Sequence, residues 1–151
     1  MYRWLVFVHV IGVFGFLLTH GASVLVTFTI RRERNPDRLG ALLDLSARSI
    51  TAFYVSILVL LAGGIAAGFV GRWWGQAWIW TALILLVATM GAMYAIAMPY
   101  FRKLRAALSS TKPAAATELE RLQSSRVPEL VTVIGFGSLL VILWLMMFKP
   151  F

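Results

Sequence analysis

Four long apolar runs separated by short polar stretches organise this chain. Trp4–Ile30, Ile50–Val70, Ala77–Met98 and Glu129–Phe148 each reach the ~18 residues that a helix needs to cross a hydrocarbon core. A spanning segment must satisfy its backbone amides internally, and an open sheet cannot do so in lipid. The pattern therefore predicts an all-α, polytopic membrane protein, a four-transmembrane-helix bundle forming a single domain over 1–151. The first run is about 27 residues long, well beyond the ~7–15 of a secretory signal, and is expected to be retained as a span.

Local signals place the helix ends. Asn35-Pro36-Asp37 supplies a cap, a proline at the first helical position and an acid in the first turn, so the second helix starts there. It runs through Leu39, Leu42 and Leu45 before entering the membrane. Pro99 predicts a kink or stop in the third helix. Beyond it, Tyr100, Phe101, Leu104 and Leu108 alternate with Arg102, Lys103 and Arg105, as on an interfacial amphipathic helix. Thr111-Lys112-Pro113 opens a short helix through Leu119 and Leu122, and Pro128 lies in the first turn of the last span. The predicted membrane helices are 4–30, 36–70, 77–98 and 128–148, with loops at 31–49 and 99–127. The short loop from Gly71 to Gln76 predicts that the second and third helices are adjacent and antiparallel.

Charge then orients the bundle. The net charge of +8 would suit nucleic acid if it were spread over the chain, but 11 of the 14 cations fall in the loops 31–49 and 99–127. Only Arg3, Arg72 and Lys149 lie on the other side. The positive-inside rule places both loops in the cytoplasm and both termini outside, in a bacterial cytoplasmic membrane. No nucleic-acid partner is expected; the lipid bilayer is, and the basic loops suit anionic headgroups. The six tryptophans, Trp4, Trp73, Trp74, Trp78, Trp80 and Trp144, fall towards the outer ends of their helices. They read as an interfacial belt, or alternatively as a docking surface for an outer partner.

The chemistry is concentrated in two side chains. His9 and His20 are the only histidines, and both lie in the first apolar run. An ionisable group at membrane depth is costly and marks a functional site by default. At roughly 100° per residue, their spacing closes to within about 20° of three full turns, so they share a face with Gly12, Phe16, Ser23 and Thr27. Gly12 and Gly15 beside His9 would admit a flat porphyrin, Gly63 and Gly64 lie at the depth of His9, and Met90 and Met93 lie at the depth of His20. His9 and His20 are candidate ligands of a metal or of haem b, with Gly12 and Phe16 lining the cofactor. The two are separated by about 16 Å along the helix and cannot sandwich one haem from there. Separate sites, a single ligand, or a symmetric homodimer pairing two copies of one histidine stay open. The structural alternative is hydrogen bonding, of His20 to Thr89 or Tyr94 and of His9 to a carbonyl or water.

Other chemistries find less support. The chain has no cysteine, which excludes disulfides, thiolate metal sites and covalently attached haem. Copper would want clustered soft and imidazole ligands, which are scattered here. No nucleophile–base–acid set and no glycine-rich phosphate loop is present. Gly64 and Gly68 form a small-xxx-small helix contact. Glu129, at the start of the fourth span, is expected to pair with Arg126 or Arg48.

Two resemblances add to this reading. Trp4-Leu5-Val6-Phe7-Val8-His9-Val10-Ile11-Gly12, the segment Arg-Glu-Arg-Asn-Pro in the first basic loop, and Val141 to Pro150 resemble a bacterial family of four-helix integral membrane proteins of unknown function. That family is similar to the membrane part of copper-resistance D proteins. More distantly, the chain is similar to the four-helix, haem-b-containing protoporphyrinogen oxidase of bacteria, which implies His9 as a haem ligand. Three functions follow as expectations: a small b-haem-binding or redox-accessory protein; a non-catalytic structural subunit packing against a larger membrane complex; and a small permease or metal-handling protein.

The cation distribution makes a direct prediction. A reporter active only in the cytoplasm should work when inserted near Ser110 and fail when fused after Phe151. The opposite pattern would reverse the orientation.

Overall fold

The computed structural model describes all 151 residues, and it is helical throughout with no strand. Helix α1 spans Tyr2–Arg32, α2 Pro36–Gly71, α3 Ala77–Leu108, α4 Ala114–Gln123 and α5 Val127–Phe148. A single 3-10 turn, Trp73–Gly75, joins α2 to α3. Four helical segments are long and apolar enough to cross a membrane, the fourth of them through α5. The Asn35 cap forms as its sequence predicts: its side-chain oxygen accepts from the amides of Asp37 at 2.9 Å and Arg38 at 3.1 Å.

Pro99 does not end the third helix. α3 continues nine residues beyond it to Leu108. Apolar spans tolerate an internal proline because neighbouring elements re-satisfy the freed backbone groups. The segment that reads as an interfacial amphipathic helix is thus the last part of α3, and its apolar side faces protein. Tyr100 and Leu104 are buried with Val26, Ile30, Leu39, Leu43 and Leu122 in the largest of three core clusters. Ile30, Leu39 and Leu104, the most deeply enclosed large side chains, all belong to it. The best-sealed packing therefore lies at the basic end of the bundle.

The helix pairing also departs from the expected one. α2 packs mainly along α1 and α3 mainly along α5, while α2 and α3 touch only sparingly. The connection itself holds them apart. Arg72 adopts the left-handed conformation at φ 56° and ψ 38°. Trp74 then packs between Phe69 and Trp80, with ring centroids 5.2 and 5.5 Å away. Bulky indoles fill the space where a tight hairpin would have brought the two helices together.

Glycines set the α1–α2 contact. A β-carbon added at Gly12 would collide with the backbone of Leu60, and one at Gly63 would lie 2.6 Å from the amide nitrogen of His9. Lipid tails are as apolar as leucine, so close packing, and not hydrophobic drive, holds such a pair together. The groove predicted beside Gly12 for a porphyrin is filled by α2. Gly64 belongs to the same contact, while Gly68 backs onto Trp74 and Ile79.

This packing separates glycines by position. Gly12→Leu should lower stability in detergent by an amount on the order of 1–3 kcal/mol through overpacking. Gly91→Leu and Gly137→Leu, where an added β-carbon meets nothing within 4 Å, should change it by less than about 0.5 kcal/mol. Comparable melting losses for all three would mean that α1 and α2 are not in backbone contact.

Candidate functional site: a histidine-lined cleft

The shared face of α1 is real: Gly12, Phe16, His20 and Thr27 are all buried along it. Its two histidines nevertheless meet different neighbours. His9 is half-buried against α2, where its Nδ1 donates to the Leu60 carbonyl at 2.7 Å. An imidazole donating through Nδ1 keeps its lone pair on Nε2. Gly64 accommodates the ring, since a β-carbon there would lie 2.7 Å from Nδ1. The carbonyl partner expected for His9 is therefore supplied by α2.

His20 is only 3% exposed, and it packs on α5. Its ring stacks on Phe16 at 6.0 Å and lies 4.9 Å from Phe136. Nε2 points at Gly135, where a β-carbon would collide with it, and makes no hydrogen bond. The expected bonds to Thr89 or Tyr94 do not form. An unpaired buried polar atom costs about 1–3 kcal/mol, so this ring is held at the expense of stability.

His20 also forms part of the wall of a cavity of about 310 Å³. The cavity exists because α2 and α3 stay apart. Thr19, His20 and Ser23 of α1 form its back, Ser46, Ile50 and Phe53 one side, and Met90, Met93 and Ala97 the other. Tyr54 and Ile50 on α2 and Tyr94 and Met98 on α3 are exposed, so the cavity is a cleft open between those helices. Arg102 and Arg105 line its basic end. Arg105 bridges the two helices there through a 2.9 Å ion pair with Asp44, while Arg102 has no acidic partner. The interior is thus apolar with a few hydroxyls and one imidazole, and its mouth carries a free guanidinium.

These surroundings bear on the cofactor expectation. His9 keeps one nitrogen out of its bond to Leu60, but it is not on the wall of the cleft, and the slot at Gly12 is closed by Leu60. At His20, one nitrogen is pressed onto Gly135 and aromatic rings pack against the imidazole. The residues do not fit a haem enclosed within one protomer at either histidine. No group of three or more histidine, cysteine or acidic side chains is placed to hold a metal ion.

Two further clusters close the ends of the bundle, and the first of them was not evident from the sequence. Glu129 pairs with Arg31, and not with Arg126 or Arg48, because the last turn of α1 lies against the α4–α5 corner. Gln123, 4% exposed, completes that corner. Its amide donates to the carbonyls of Ile30 and Glu33 at 2.8 Å each, capping the end of α1, while its oxygen accepts from Arg34 at 2.7 Å. A lone glutamine between Leu122 and Ser124 was the only available signal. At the opposite end Trp73 packs at a tilt on Trp78 and Trp74 on Trp80, with ring centroids 5.7 and 5.5 Å apart. Trp78 is 3% exposed, and Lys149 lies 4.4 Å above the Trp73 ring. Trp4, Trp80 and Trp144 remain exposed around the perimeter, as in an aromatic belt.

Residues 3–150 match the model of a family described as predicted integral membrane protein (DUF2269). The chain belongs to that family. The match covers both histidines, the cleft and both basic loops, so the membrane assignment holds for the whole bundle. No curated protein and no solved structure matches the chain.

The contact between His20 and Gly135 can be tested by a double-mutant cycle. Gly135→Ala should cost about 1–3 kcal/mol, and that cost should largely vanish in a His20→Ala background, where the ring is gone. Equal losses in both backgrounds would mean that His20 does not rest on α5.

Proposed function

We propose that this protein is a binding module of the bacterial cytoplasmic membrane, with its basic end inside and both termini outside, and that it holds a membrane-borne amphiphile in the cleft beside His20. The observation that carries the reading is an apolar cleft, open between α2 and α3, whose back wall includes the buried imidazole of His20 together with the hydroxyl-bearing Thr19 and Ser23. A bundle serving only as a packing subunit has no need of unfilled space between its helices, because the atoms lining a void lose packing contacts. Ligand sites between the helices of bundles share this make-up: mostly apolar walls with a few convergent polar groups. The role is carrier or accessory protein; no nucleophile and base are arranged for hydrolysis.

A second reading keeps the b-haem or redox-accessory function, with His9 as ligand. The Nδ1 bond to Leu60 favours it, since that bond leaves Nε2 as the coordinating atom. The other wall would have to come from outside the protomer, so this reading requires a homodimer or a larger membrane complex. The bound haem would supply one-electron chemistry. The likeness to protoporphyrinogen oxidase supports this reading; that to copper-resistance D proteins supports a metal-handling variant of it.

One preparation distinguishes them. Protein solubilised from haem-replete cells should retain an extractable amphiphile detectable by mass spectrometry, and Ala97→Phe, which fills the cleft, should remove most of it. A Soret band lost in His9→Ala but kept in His20→Ala would replace this reading with the haem one. Protein carrying neither amphiphile nor chromophore would leave only the packing-subunit role.

A further inference from the structure

The cleft is chemically lopsided along its length. From Met90 to Ala97 its α3 wall is apolar, whereas its basic end is flanked by Arg102 and Arg105. The groups facing that end can be named from every element around it. On α2, Asp44 is committed to Arg105, and Ser46 and Ser49 add hydroxyls without charge. On α1, Thr19, His20 and Ser23 bring no acid. The Thr19 hydroxyl is turned onto its own helix at Gly15, 2.9 Å away. On α3, Arg102 is exposed and has no carboxylate within ion-pair distance. Arg105 and Asp44 cancel, so one guanidinium charge faces the mouth uncompensated.

Resting on the reading that the cleft holds an amphiphile, we infer that its occupant is an anionic phospholipid, seated with its phosphate at Arg102 and an acyl chain running inward along Ile50, Phe53, Met90 and Met93 towards His20. Charge complementarity favours this occupant over a zwitterionic or neutral lipid. A guanidinium offers a planar fork of donors that matches phosphate oxygens, and it is weakly hydrated enough to work at a membrane surface. The position along α3 agrees with a lipid's own layout. Arg102 is nine residues beyond Met93, about 13 Å along the helix, which separates a headgroup-level charge from a chain-level apolar wall. The Arg105–Asp44 ion pair reaches from α3 to α2 across the mouth.

The test uses the full chain in a neutral detergent, with phosphatidylglycerol and phosphatidylcholine of identical acyl chains as probes, read by native mass spectrometry. The wild type should bind the glycerol lipid about tenfold more tightly than the choline lipid, because both phosphates can accept from Arg102 but only the choline lipid also brings a quaternary ammonium against that basic end. Arg102→Gln should reduce that preference to within about twofold while leaving chain binding in place. Arg38→Gln, on the same basic face but outside the cleft, should leave the preference intact. Ala97→Phe should weaken both lipids. Equal binding of the two lipids by the wild type overturns the headgroup assignment without touching the cleft reading. Loss of preference in Arg38→Gln to the same degree as in Arg102→Gln overturns it too, by making recognition a property of the whole basic face. Competition by inorganic phosphate at the same concentrations would mean a free-anion site and not a lipid site. If Ala97→Phe changes neither lipid, the cleft reading itself fails.

Discussion

Backbone contact between α1 and α2, permitted at Gly12 and Gly63, determines how the remaining helices are arranged. In a bilayer there is no hydrophobic gain from bringing two apolar helices together, so the pair that can approach most closely forms at the expense of others. Once α2 is committed to α1, the short connection to α3 cannot impose a second tight pair. The indoles of Trp73 and Trp74 occupy the turn, α3 finds α5 instead, and the α2–α3 boundary stays open along much of its length. The cleft is a consequence of where the glycines lie.

The same commitment explains the fates of the two histidines. His9 falls at the depth of Gly63 and Gly64, where α2 is close enough to offer a main-chain carbonyl. His20 lies three turns further on, where the shared face of α1 has α5 as its neighbour and Gly135 offers space but no acceptor. His9 is a satisfied contact, whereas His20 lines the cleft and turns its unpaired Nε2 onto α5.

The two ends of the bundle are closed by different means. At the tryptophan end, tilted aromatic rings and the Lys149 ammonium over Trp73 close α3 against the C-terminal residues. At the basic end, Gln123 ties α4 to α1 by satisfying carbonyls that the end of a helix leaves unpaired, and the Arg31–Glu129 ion pair ties α1 to α5. The sparse interior between these ends is compatible with a stable fold, since the outward faces of the helices meet lipid and need no protein partner.

The sequence by itself determined the class of fold, the number of spans, the Asn35 cap, the face of α1 that turns inward and the depth relations of His9 to Gly63 and of His20 to Met90. All of these follow from helical period, from apolar length or from charge counted along the chain, which are local quantities. Tertiary structure decided the pairing of α1 with α2 and of α3 with α5, the passage of α3 through Pro99, the partner of Glu129, and the existence of a cleft. The physical reason is the uniformity of the spans: four apolar helices of similar composition can pair in several ways with nearly equal hydropathy. Only the three-dimensional fit of a few glycines against particular backbones and rings selects among them, and that fit is not a property of any single segment.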